Sequence, residues 1–215
     1  MVKDLHKQAL EIVERLDKTY PDAHLELDFT TPFELLMATI LAAQCTDQRV
    51  NQVTKSLFKK YPNPAAYLAV DISELEEDIR PTGFFRNKAK SIVACCKALV
   101  EEYGGELPTT VEELTKLPGV GRKTANIVLA NAMGIPAIGV DTHTFRVPNR
   151  MGLVNTKDPY KIELQLCELL PKESWHRGNL LLQWHGRYTC QAQKPKCDQC
   201  VVYDLCEWEE KESFK

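Results

Sequence analysis

A chain of 215 residues, 44% of them hydrophobic, is long enough to bury one large core or two modest ones. A formal charge of -3 excludes nucleic-acid binding driven by overall charge, so any contact with a polyanion has to come from a local patch. No run of about 18 apolar residues occurs, and the start (Met1, Val2, Lys3, Asp4) lacks a signal-peptide pattern, which predicts a soluble cytoplasmic protein.

Leu5, Ala9, Ile12, Val13 and Leu16 recur at helical spacing until Tyr20-Pro21, predicting a first amphipathic helix. Thr31, Pro32 and Glu34 then supply an N-cap, a proline at the first helical position and a capping-box acid, leading into Phe33, Leu36, Ile40 and Leu41. Val50, Val53 and Leu57 keep the same period. So do Ala89, Ile92, Val93, Cys96, Leu99 and Val100, which stop at Gly104-Gly105. Thr110 and Glu113 form a second capping box. The short helix they open runs into Leu117-Pro118-Gly119-Val120-Gly121, and helical spacing resumes at Ala125, Val128, Leu129 and Ala132 before Gly134 and Pro136. The pattern is helix, tight glycine turn, helix. Asp141 is placed to cap a helix starting at Thr142, Asp158-Pro159 opens another carrying Ile162, Leu166 and Leu169, and Leu180 to Trp184 marks one more. No alternating strand pattern is present, so the fold class is all-α.

Chemistry concentrates at three places. The two glycines of the turn allow close approach of another group, and the helix that follows begins with unpaired N–H groups that favour a phosphate. Such a contact positions a duplex without reading its sequence. Lys123 stands two residues beyond the turn; a lysine amine is a nucleophile only when neutral, and the positive end of a helix disfavours a nearby ammonium. Asp141 is the second place, either an ordinary helix cap or a carboxylate able to stabilise positive charge and assist proton transfer.

The third is the group Cys190, Cys197, Cys200 and Cys206, spaced C-x6-C-x2-C-x5-C. Four thiolates in so short a segment suit a tetrahedral zinc site or a four-iron four-sulfur cluster, and spacing alone leaves both open. Lys194 and Lys196 in the first loop would present two cations to phosphate. Arg122, Arg146, Arg150 and Arg187 are further candidates for a basic face, set against acidic runs at Glu74 to Asp78 and Glu207 to Glu212. The remaining Cys45, Cys95, Cys96 and Cys167 read as small buried hydrophobes.

The segments LPGVGRKTAN (117–126), VDTH (140–143), LAAQCTD (41–47), HGRYTC (185–190) and the four-cysteine spacing resemble the endonuclease III family of helix-hairpin-helix DNA glycosylases, and the resemblance covers nearly the whole chain. It implies a two-domain fold with DNA held between the domains: a six-helix barrel over 25–135 carrying the helix-hairpin-helix, and a discontinuous iron–sulfur cluster domain over 1–24 and 136–215. By motif, Lys123 becomes the Schiff-base nucleophile and Asp141 the catalytic carboxylate. Gly119, Val120, Gly121 and Arg122 form the hairpin on the phosphate backbone, and Gln44 fills the space left by a flipped base. The four cysteines hold a structural four-iron four-sulfur cluster. The implied enzyme is a monomeric, nucleoid-associated DNA glycosylase and abasic-site lyase of base excision repair. It acts on double-stranded DNA containing oxidised pyrimidines or abasic sites and has no membrane partner. Its rivals are a monofunctional glycosylase of the same fold and a non-catalytic, zinc-stabilised DNA-binding scaffold.

Two positions depart from the family pattern. Pro148 falls inside the helix capped by Asp141, where it removes a backbone hydrogen bond and requires the helix to kink or end early. Phe84 follows Gly83 where a smaller aliphatic wedge is usual; an aromatic there either stacks on bases or belongs to the core.

Overall fold

The computed structural model describes residues 4–214, and among these the regular structure is entirely helical. Among the described residues no helix is long and apolar enough to cross a membrane. The chain divides into two compact units, one formed by residues 26–135 and the other by the residues up to Leu25 together with those from Pro136 onward.

The continuous unit carries α2 (Pro32–Leu41), α3 (Asp47–Lys60), α4 (Pro64–Leu68), α5 (Ile72–Ile79), α6 (Phe85–Tyr103), α7 (Val111–Leu114) and α8 (Arg122–Ala132). Its first helix starts where the sequence places it. Thr31 Oγ1 accepts from the Glu34 amide at 3.2 Å, but Glu34 Oε2 reaches back one residue further than a capping box requires, to the Thr30 amide at 2.6 Å. Every residue of α2 from Leu35 to Leu41 is buried, so this helix is the axis of the unit, with α3, α6 and α8 packed on it. The stripe read from α6 is buried as well, at Ala89, Ile92, Cys96 and Leu99. Two short helices join those read from the sequence: α4 presents Tyr67 and α5 presents Leu75 and Ile79, all buried. Tyr67 meets Tyr61 and Phe33 ring to ring at 4.9 and 5.8 Å.

The discontinuous unit carries α1 (Leu5–Thr19), α9 (Thr142–Arg150), α10 (Pro159–Leu169) and α11 (Trp175–Tyr188). Ile12 and Leu16 of α1 pack with Val147, Ile162, Leu166 and Leu181, each such buried side chain contributing about 1.5 to 3 kcal/mol. Sequence-distant parts are also tied by side-chain bonds to backbone carbonyls. Arg177 donates to the carbonyls of Tyr20, Pro21 and Ala23, and Gln8 Nε2 donates to those of Met151 and Leu205. The closest packing joins α9 to α11. A Cβ built on Gly186 would lie 2.8 Å from His143 Cβ and 2.9 Å from Val147 Cγ2, so only glycine lets the helices approach this far. Helix α9 runs through Pro148 but for only two residues more, ending at Arg150.

Of the four scattered cysteines, Cys95 and Cys96 are fully buried, and burial pushes the Cys95 thiol up to about 12. Cys45 and Cys167 are only half-buried.

Candidate functional site

The predicted glycine turn exists as a compact loop. Leu117 and Val120 are buried and anchor it, while Pro118, Gly119 and Gly121 face outward. The Val120 amide closes the turn on Leu117 O at 3.1 Å. Gly119 has φ +78, and a Cβ there would come within 2.9 Å of Ser91 Cβ on α6, so the position excludes a side chain twice over. Gly121 is different. Its φ of -91 suits any residue and a Cβ would meet only open space, so nothing inside the protein requires glycine. As the N-cap of α8, Gly121 offers no side chain to the first-turn amides, which leaves them directed at an approaching acceptor. Lys123 sits in that first turn with its side chain exposed, so any desolvation of the amine has to come from a bound substrate.

Gln44 and Phe84 join Gly119 around a concavity of about 310 Å³, with Thr39, Asn87, Lys88, Ser91 and Thr124 among its other walls. Both residues are exposed and both adopt left-handed backbone, with φ of 53 for Gln44 and 48 for Phe84. They are the non-glycine residues with positive φ among the described residues. A left-handed conformation costs a side-chain-bearing residue about 1 to 2 kcal/mol, and such outliers cluster at functional sites. Phe84 is 63% exposed, so of the two alternatives for it, membership of the core is excluded. A larger groove of about 580 Å³, lined by Phe29, Asn51, Lys55 and Phe58, lies in the same unit but contains none of the predicted residues. It is open, and neither residue of left-handed backbone lines it.

In the discontinuous unit Asp141 caps α9, its Oδ1 accepting from the amides of His143 at 2.9 Å and Thr144 at 2.7 Å. Oδ2 is not used in the cap. The carboxylate is therefore oriented by backbone through one of its oxygens. His143 packs against Gly186 and Arg146, and burial pushes its imidazole down, as expected for a packed histidine rather than an acid.

Two of the arginines read as candidates for a basic face are spent inside this unit. Arg146 donates to the carbonyls of Cys190 and Gly186, and Arg150 donates to those of Gln191 and Ala192 while lying 3.8 Å over the Trp208 ring. One turn apart on α9, they grip the start of the first cysteine loop. Pro195 in that loop is buried, and its neighbours Lys194 and Lys196 are exposed.

Cys190, Cys197, Cys200 and Cys206 line one enclosed pocket together with Met151, His185 and Pro195. The four thiols share one pocket, and such a donor set fits a four-iron four-sulfur cluster. Burial pushes the Cys200 thiol up to about 11, and Cys197 and Cys206 are raised for the same reason, so thiolates here depend on the charge of bound metal. His185, pushed down to about 4 by burial, stays neutral beside Cys200 Sγ at 3.6 Å.

Against known proteins, residues 37–172 match the model of the HhH-GPD superfamily base excision DNA repair protein, and residues 190–206 match the iron–sulfur binding domain of endonuclease III. The second match begins on Cys190 and ends on Cys206. The chain is 50% identical to endonuclease III of Synechocystis sp. over 93% of its own length and 92% of the relative's. The chain belongs to the endonuclease III family. Endonuclease III of Escherichia coli is 44% identical over 94% of this chain and 96% of its own. A solved structure of a trapped endonuclease III–DNA covalent intermediate, an estranged-adenine complex, superposes with a TM-score of 0.92 at 46% identity, covering 99% of this chain and 100% of that one. A thermostable thymine-DNA glycosylase reaches 0.85 at 26% identity, covering 95% and 98%. The cofactor of the endonuclease III fold here is a four-iron four-sulfur cluster.

Proposed function

We infer that this protein is a bifunctional DNA glycosylase and abasic-site lyase of base excision repair, which removes oxidised pyrimidines through a lysine Schiff base and cuts the strand by β-elimination. The observation that carries this reading is Lys123, an exposed lysine in the first turn of a helix whose preceding glycine turn is built for outside contact. The endonuclease III trapped as a covalent intermediate with DNA, similar to this chain over nearly its full length, supports it.

The amides at the start of α8, with Gly119 to Arg122, hold a backbone phosphate. The damaged base leaves the stack at a cost of a few kcal/mol, lower when the base is damaged, and Gln44 and Phe84 occupy the gap. The neutral amine of Lys123 attacks the sugar C1′ as the C1′–N bond breaks and the base departs with the bonding pair and a proton. Loss of the sugar ring bond gives an imine, which acidifies the C2′ proton; removal of that proton expels the 3′ phosphate. Asp141, held as an oriented anion, stabilises the cationic sugar and serves the proton transfers. When bound to Cys190, Cys197, Cys200 and Cys206, the cluster supplies structure, holding the loop that carries Lys194 and Lys196 toward phosphate. The site of action is the cytoplasmic nucleoid.

The test is borohydride reduction on a duplex carrying thymine glycol. An imine is reduced to a stable protein–DNA link, whereas activated water leaves none. Excision without any trapped species would favour a monofunctional enzyme.

A further inference from the structure

Lys88 lies on the apolar stripe of α6 and is only 5% exposed, yet no carboxylate pairs with it among the described residues. Its ammonium donates instead to two carbonyls, Leu41 O at 2.8 Å and Thr82 O at 2.7 Å. A buried charge without a counter-ion is costly to keep. Burial pushes this lysine down from its ordinary value, and the two carbonyls and the polar side of the concavity offset that cost.

The identity of the two acceptors explains why the charge is kept. Leu41 ends α2, and its carbonyl is one of those a helix leaves without an intrahelical partner; three residues later the chain turns left-handed at Gln44. Thr82 ends the turn before Gly83 and Phe84, both of positive φ. One ammonium therefore bridges the two segments that carry the two strained side chains, and it does so from the wall of the concavity that both of them line. Left-handed backbone at a glutamine and a phenylalanine persists only where the surroundings over-determine it. Local hydrogen bonds hold each turn separately, as Cys45 N to Ala42 O and Gly83 N to Arg80 O. The bonds of Lys88 span from one turn to the other.

We propose that Lys88 is a positioning residue, whose ammonium ties the Gln44 turn to the Phe84 turn and so fixes the separation at which the two side chains enter a duplex opened at a lesion. This rests on the reading that Gln44 and Phe84 occupy the opened stack. Lys88 touches neither the substrate sugar nor the reacting atoms; it acts through the two turns.

The experiment uses the cluster-loaded protein and a duplex with a tetrahydrofuran abasic-site analogue opposite 2-aminopurine, whose fluorescence rises on unstacking. Lys88→Met keeps length and removes the donors. Lys88→Gln keeps two N–H donors on a shorter arm and serves where the methionine variant does not fold. Either variant, once shown folded by circular dichroism, is expected to lose at least half of the fluorescence rise and about tenfold in affinity for the analogue, within the range found for residues sharing one hydrogen-bond network. In a Gln44→Ala, Phe84→Ala background the lysine change should cost nothing further. A purely structural lysine would lower the melting temperature and leave both readouts at the wild-type level, or would add its loss in full to the double variant; either result overturns the proposal. If Gln44→Ala and Phe84→Ala themselves leave fluorescence and affinity unchanged, the reading of those two residues fails and the proposal falls with it. If they lower both while a folded Lys88 variant does not, the proposal alone fails.

Discussion

Lys123 and Asp141, the residues proposed to carry the chemistry, are both placed by backbone. Lys123 stands in the first turn of α8, and Asp141 is held by two amides of α9. Lys123→Gln keeps polarity and most of the length but cannot form an imine, so it should abolish borohydride trapping and base excision while lesion DNA is still bound. Persistent trapping by the folded variant would move the nucleophile elsewhere. Asp141→Asn still offers an oxygen to the His143 and Thr144 amides, and asparagine is as good a cap as aspartate, so stability should hardly change. Excision should fall by about 10² to 10⁴-fold, the usual worth of a general acid–base group. A fall matched by an equal loss of folded protein would instead assign Asp141 to the cap alone.

Helix α9 is the element that links this chemistry to the cluster loop. Its first residue is capped by Asp141, Arg146 and Arg150 grip the loop at its other end, and Gly186 of α11 closes on its middle. A methyl group at residue 186 must push His143 and Val147 aside, so Gly186→Ala should destabilise by about 1 to 3 kcal/mol in urea titration. Gly121→Ala should contrast with it: a Cβ meets open space there, so stability is nearly kept, and affinity for DNA of any sequence should drop. The cysteine loop makes a further prediction at this scale. Lys194 and Lys196 are exposed on a segment fixed by Arg150 and buried Pro195. Replacing both with alanine should lower the slope of log affinity against log salt by about 0.9 for each phosphate that is no longer neutralised. An unchanged slope and affinity would remove the loop from the DNA interface without touching the chemistry.

At the scale of the molecule, the last stretch of chain has little apolar content with which to fold itself. Residues 190–206 bury Val202 in the core with Cys190, Cys200 and Leu205 partly buried against it, and further order comes from short turns, the two arginine clamps, the Gln8 bond to Leu205 and the cysteine pocket. Metal binding there is folding free energy. Serine at any one of Cys190, Cys197, Cys200 or Cys206 should therefore lower the yield of folded protein and bleach its visible colour. Purified anaerobically, the wild type should be yellow-brown and contain iron and sulfide; stoichiometric zinc without them would overturn the cluster assignment.

The sequence by itself determined the helical class, the starts of α2, α7, α9 and α10 through their caps and prolines, and the grouping of four cysteines, because periodicity, capping and ligand spacing are local properties of a chain. It also singled out Lys123 and Asp141 through short motifs. It did not reveal α4 and α5, which are short and have two buried residues apiece. It left Arg146 and Arg150 among the surface cations, although each is committed to carbonyls some 40 residues away. Lys88 does not stand out among many charges, although it lies on the same stripe as Ile92, Cys96 and Leu99. Only the tertiary structure brought Gln44, Phe84 and Gly119 around one concavity and the four cysteines around one pocket. Those outcomes depend on which distant carbonyls, helices and thiols meet, and that is fixed by packing rather than by local pattern.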